Sequence, residues 1–87
     1  MNDLKGKKII VTGASGGIGN SIVNKLSENG ADILATGTRI EKLEELKSKF
    51  KNIKILKFDI SQIEKIDDFI ETASAELGGS LDCLINN

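Results

Sequence analysis

Apolar residues along this chain gather in two alternating ways. Compact runs occur at Ile9-Ile10-Val11, Ile33-Leu34-Ala35, Ile53 to Phe58 and Leu81 to Ile85, each bounded by polar or glycine residues. Short near-continuous apolar runs suit strands that are covered on both faces. Between them, apolar positions recur at helical spacing: Ile18, Ile22, Val23 and Leu26; then Ile40, Leu43, Leu46 and Phe50; then Ile63, Ile66, Phe69, Ile70, Ala73 and Leu77. The pattern predicts strands over residues 7–12, 32–36, 53–58 and 81–85. It predicts helices over 17–29, from about 39 to 50, and from about 61 to 77. Asn29-Gly30 and Gly78-Gly79 supply left-handed stops. Thr38 with Glu41 and Ser61 with Glu64 have capping-box spacing at helix starts.

Strands and helices in strict alternation, joined by short connections, imply a parallel sheet with right-handed crossovers. The expected architecture is α/β, a Rossmann-type sheet in strand order 3-2-1-4 with helices on both faces. Lys54 and Lys57 interrupt the third run, as suits an edge strand. The fourth run carries only Asp82 as a charge and reads as an interior strand, with Cys83 a small core residue.

Composition narrows the function classes. The chain has 87 residues, enough for one small domain, with 12 basic and 13 acidic side chains. That balance gives no basic face for nucleic acid, and three Phe with no Trp or Tyr leave little for base stacking. No His and a single Cys exclude histidine triads and multi-cysteine metal sites, so no metal site is expected. Met-Asn-Asp-Leu-Lys-Gly lacks the pattern of a secretory leader, and no apolar run approaches the ~20 residues of a membrane span. A cytoplasmic chain with no membrane partner is expected.

The chemistry concentrates in Thr12-Gly13-Ala14-Ser15-Gly16-Gly17-Ile18-Gly19, which joins the first strand to the first helix. Glycines there allow a sharp turn, a close approach of backbone to a pyrophosphate, and tight packing of helix on sheet. Amides of the helix's first turn face the anion, and the helix dipole adds attraction. Residues 13–19 are therefore candidate cofactor contacts: Gly13, Ala14, Ser15, Gly16, Gly17, Ile18 and Gly19. A Walker-type phosphate loop is excluded, because no lysine lies between Lys8 and Lys25. Ser15 either donates to a phosphate oxygen or caps the helix.

In an open parallel sheet the ligand lies beyond the carboxyl ends of the strands, where strand order reverses. The second strand ends in Gly37-Thr38-Arg39, with no acid to bind the ribose hydroxyls of NAD. An arginine there accommodates the 2′-phosphate of NADP. Thr38 and Arg39 thus favour NADP (NADPH) over NAD, against the plainer readings of a helix cap and a solvated charge. Asp59 follows the third strand beside the pocket; its plainer reading is an acid favoured by the next helix's dipole.

Thr12-Gly13, Gly17 and Gly19 together resemble the Thr-Gly-x-x-x-Gly-x-Gly signature of the short-chain dehydrogenase/reductase family. Gly37-Thr38-Arg39 is similar to the turn of certain bacterial 3-oxoacyl-(acyl-carrier-protein) reductases. The resemblance implies that Asp59 accepts from the adenine amino group and that Ile60 packs near the ring. Asn86-Asn87 resembles the start of the family's Asn-Asn-Ala-Gly motif, which implies that Asn87 lies near the cofactor ribose. A sugar-nucleotide epimerase is disfavoured by the glycine spacing and by these asparagines.

The family transfers hydride between a nicotinamide and a carbonyl or alcohol, using a Ser and a Tyr-x-x-x-Lys pair. No Tyr is present here, so no catalytic residue is assigned. Residues 1–87 are expected to form the N-terminal dinucleotide-binding part of a single, larger doubly wound domain, with the catalytic half absent. For the parent, the resemblance implies a homo-oligomer and an acyl-carrier-protein-linked substrate of fatty-acid synthesis. A non-catalytic dinucleotide sensor is the rival class, and a Ser followed by Tyr-x-x-x-Lys downstream would favour the enzyme. The 87 residues alone should show no carbonyl reduction with NADPH. They should also self-associate through the fourth strand, which lacks lysine and proline, with ~5 kcal/mol a generous stability. Sedimentation and cofactor titration check this, and a monodisperse monomer that binds NADPH tightly would contradict it.

Overall fold

A computed structural model of the chain describes residues 3–50, 52–59 and 65–85. Its elements are β1 (Lys8–Val11), α1 (Gly17–Glu28), β2 (Asp32–Gly37), α2 (Ile40–Lys49), β3 (Ile53–Lys57), α3 (Ile66–Glu76) and β4 (Cys83–Ile85). The four strands form one parallel sheet in the order β3-β2-β1-β4. Both the order and the edge position of β3 match the sequence reading.

Alternation along the strands divides the core. Ile9, Val11, Ile33, Ala35 and Ile53 face one side, where α1 brings Val23 and α2 brings Leu43 and Leu46. Ile10 and Leu34 face the other side, where α3 brings Phe69 and Ala73, with Leu77 just beyond it. Successive strand side chains point to opposite faces, so β1 and β2 each serve both cores. Phe58 stacks on Phe69 with ring centroids 4.0 Å apart, which seats α3 against the end of β3.

The helix stops follow from the sequence. Gly30 adopts φ +91°, and the amides of Gly30 and Ala31 turn back to the carbonyls of Ser27 and Leu26. Gly78 and Gly79, both at φ +93°, close α3 in the same way. The starts differ from expectation. Arg39, not Thr38, is the N-cap of α2, and no side-chain capping bond forms there. Ser61 and Glu64 lie outside the described residues.

Four apolar positions also differ: Ile18, Ile40, Cys83 and Leu84, the last 44% exposed on β4. Ile18 is 72% exposed and Ile40 is 40% exposed, although both fit the helical stripes. Each lies in the first turn of its helix, ahead of the residues that reach the core (Val23 in α1, Leu43 in α2), so periodicity alone overstates its burial. Cys83 is exposed rather than a core residue, because β4 is the outermost strand of the described sheet. Among the described residues no helix is long and apolar enough to cross a membrane.

Leu34 is fully buried in the α3-side core. Leu34→Ala should destabilise the fold by ~2–5 kcal/mol, whereas Ile18→Ala should change stability by no more than ~0.5 kcal/mol. Urea denaturation of the two variants checks the contrast.

Candidate functional site

The site is built where β1 ends. The Thr12 amide donates to the Ile85 carbonyl at 3.0 Å, and its hydroxyl reaches the same oxygen at 3.3 Å. Two residues on, the Ala14 amide donates to the Thr36 carbonyl at 2.8 Å. The turn is thereby tied to β4 on one side and β2 on the other. Gly13, between these two bonds, has φ +63°, a conformation that L side chains rarely adopt.

From Gly13 the chain swings into α1. The Gly16 amide returns to the Gly13 carbonyl at 3.2 Å, and Gly16 is the N-cap. The first helical bond runs from the Asn20 amide to the Gly16 carbonyl at 2.9 Å. Amides of Gly17, Ile18 and Gly19 therefore precede the helical ladder and form an anion-attracting end. Gly19 is buried on the packing face with Val23, the third role expected of these glycines. Ser15 does not cap the helix, since Gly16 holds that position and makes no side-chain capping bond.

The arm after β2 comes to the same place. Gly37 is buried at the end of β2, and its carbonyl accepts the Phe58 amide at 2.9 Å. Arg39 then reaches back across 24 residues, its Nη2 donating to the Ser15 carbonyl at 3.0 Å. A cleft of about 100 Å³ lies between these parts, lined by Thr12, Gly13, Ser15, Thr36, Gly37, Thr38, Phe58 and Asp59.

Gly13, Ser15, Thr38 and Asp59 are thus brought together as the sequence predicted, with Arg39 beside the turn. Ala14 is fully buried within the turn. Gly16, Gly17, Ile18 and Gly19 form the passage into α1. Ile60, Asn86 and Asn87 lie outside the described residues. Sequence reasoning missed Thr36, whose carbonyl anchors the turn, and Phe58, which walls the cleft. A buried threonine at a strand end was the only available signal for the first.

A larger cleft of about 340 Å³ opens at the other end of the sheet, lined by Lys8, Asp32, Asn52, Lys54, Glu76 and Gly78 among others. Lys8 pairs there with Asp32 at 2.7 Å, and Lys54 donates to the Glu76 main-chain carbonyl at 2.8 Å. The smaller cleft lies beside the amides and dipole of the α1 N-terminus and the Arg39 guanidinium, a donor set suited to a phosphorylated ligand.

Residues 7–87 match the family model described as short chain dehydrogenase. The chain belongs to the short-chain dehydrogenase family. It is 40% identical over 89 residues to an uncharacterized oxidoreductase of Staphylococcus saprophyticus, covering all of this chain and 36% of that protein. It is likewise 40% identical over 88 residues to nodulation protein G of a Rhizobium species, again covering all of this chain and 36% of the relative. Among solved structures, a citronellol catabolism dehydrogenase of Pseudomonas aeruginosa superposes with a TM-score of 0.91 at 29% identity, covering 99% of this chain and 37% of that one. The chain therefore spans a little over a third of the length of these relatives. Short-chain dehydrogenases are oxidoreductases that bind a nicotinamide dinucleotide, and the donor set at the turn after β1 suits the phosphates of such a cofactor.

The left-handed conformation of Gly13 makes it the sensitive position in this turn. In the expected full-length parent, Gly13→Val should strain the backbone by ~1–3 kcal/mol and abolish dinucleotide binding while leaving the helical content largely intact. Titration beside far-ultraviolet circular dichroism checks this, and unchanged affinity would remove the turn from the binding site.

Proposed function

We propose that the chain is the NADP-binding portion of an oxidoreductase that transfers hydride between NADPH and a carbonyl or alcohol. The observation that carries the choice of NADP is the guanidinium of Arg39, held 3.0 Å from the Ser15 carbonyl beside the turn. No carboxylate stands among Gly37, Thr38 and Arg39, where a ribose-binding acid would favour NAD. In this reading residues 1–87 are the N-terminal dinucleotide-binding part of a single Rossmann domain.

Each candidate residue then has a physical task. Gly13, Ala14, Ser15, Gly16, Gly17 and Gly19 shape the turn and present amides to the pyrophosphate. Ile18, exposed at the first turn of α1, offers an apolar surface beside it. Thr38 and Arg39 read the 2′-phosphate, and Asp59 accepts from the adenine amino group at the far wall of the cleft. Ile60 and Asn87 complete the set, against the adenine and near the ribose. When bound, the cofactor supplies the hydride; these residues bind it, orient it and neutralise its charge.

The proton-transfer groups of the reaction, a Ser and a Tyr-x-x-x-Lys pair in the family, have no counterpart in these 87 residues. The substrate proposed is a 3-oxoacyl chain linked to acyl-carrier protein, supported by the similarity of the Gly-Thr-Arg turn to such reductases. A homo-oligomeric, cytoplasmic parent belongs to the same proposal.

In the full-length parent, Arg39→Ala combined with Thr38→Asp removes a cation and adds a like charge facing the 2′-phosphate. A lost charge-assisted bond of ~1.5–3 kcal/mol corresponds to roughly tenfold to over a hundredfold in NADPH affinity. NADH affinity should fall much less. Titration of the double variant with both cofactors checks the reading, and equal losses would show that Arg39 does not read the 2′-phosphate.

A further inference from the structure

The last residue of β2 is a glycine for no reason of backbone conformation. Gly37 is paired in register with Lys57 of β3 and is absent from the positions with positive φ. Glycine in a strand weakens it, and often marks a place where another segment approaches closely. That segment is the phosphate turn. A Cβ placed on Gly37 would stand 2.7 Å from Ser15 Oγ, 3.2 Å from Ser15 Cβ and 3.3 Å from the Ser15 amide nitrogen.

The strand end cannot readily retreat from such a contact. The Gly37 carbonyl holds the Phe58 amide at 2.9 Å, and the Thr36 carbonyl holds the Ala14 amide at 2.8 Å. Ser15 must therefore give way, by rotating its hydroxyl and shifting its backbone. Its carbonyl is also the acceptor for Arg39 Nη2. Gly37, Ser15 and Arg39 thus form a chain of contacts from strand end to turn to guanidinium.

We propose that Gly37 is a positioning residue for cofactor recognition. Its missing side chain seats Ser15, and the Ser15 carbonyl in turn holds the Arg39 guanidinium where the 2′-phosphate is read. The inference rests on the NADP reading above and extends it to a residue with no donor of its own. It also implies that a side chain at position 37 disturbs the turn whatever its charge, so an acid that favours NAD must be introduced at position 38.

Gly37→Ala, Ser15→Gly and the double variant, made in the full-length parent, test the coupling by titration with NADPH and NADH. Gly37→Ala should weaken NADPH by roughly tenfold or more and NADH less. The double variant should bind NADPH no more weakly than Ser15→Gly alone, because the two nearest contacts, Ser15 Oγ and Cβ, are gone and only the 3.3 Å approach to the Ser15 amide nitrogen remains. Nuclear magnetic resonance of the cofactor-free protein gives an independent readout. The Arg39 side-chain Nε–H signal should move in Gly37→Ala and return in the double variant, which a general loss of stability would not produce. Wild-type protein that binds neither cofactor would overturn the NADP reading, and this inference with it. Wild-type binding with Gly37→Ala unchanged, or additive losses in the double variant, would overturn this inference alone.

Discussion

The hydrogen bond from the Ala14 amide to the Thr36 carbonyl, 2.8 Å long, holds the turn after β1 against the end of β2. A glycine turn alone is flexible, and flexibility is the wrong property for a rigid array of amide donors. With Thr12 tied to Ile85 on the opposite side, the turn is anchored at both shoulders, and Gly13 makes the left-handed bend between them. The start of α1 is then aimed by the sheet rather than by local preference. Its apolar face supplies the remaining constraint, through Val23 in the core and Gly19 at the point of closest approach.

Much of this was legible in the residues. Compact apolar runs and helical stripes placed every described element within a few residues, and Lys54 and Lys57 put β3 at an edge before the topology was known. Lys54 does more than face solvent, since it also reaches the Glu76 carbonyl at the end of α3, where a cation is favoured. The misreadings share one cause. Periodicity shows which residues line one side of an element but not what lies opposite them. Ile18 and Ile40 precede the residues that reach the core, and Cys83 lies on the outermost described strand, so all three are exposed. Capping-box spacing at Thr38 and Glu41 failed differently: two adjacent polar residues could each have started α2, and Arg39 does.

The contacts that matter most for recognition are those no spacing rule reaches. The Arg39–Ser15 bond spans 24 residues, and the Gly37–Ser15 contact depends on how closely β2 passes the turn. Sequence patterns placed both residues at the carboxyl end of the sheet, where Rossmann-type sites lie. Only coordinates show that they meet at one serine. Cleft size alone points elsewhere, to the larger opening at the amino ends, where Lys8 pairs with Asp32.

These observations divide recognition into two physically separate parts. Attraction of the pyrophosphate comes from backbone amides and the dipole of α1, which act on NAD and NADP alike. In the proposed reading, discrimination falls to Arg39, which follows β2 and reaches the Ser15 carbonyl beside the cleft. The parts meet at Ser15, whose side chain faces Gly37 and whose carbonyl receives Arg39. On the proposed reading, a change confined to positions 38 or 39 alters preference while leaving shared affinity largely in place. A change at 37 reaches both parts, because it moves the residue that joins them. That difference follows from where the contacts lie rather than from the charge of any one residue, and it accounts for a buried glycine at a strand end whose backbone does not need one.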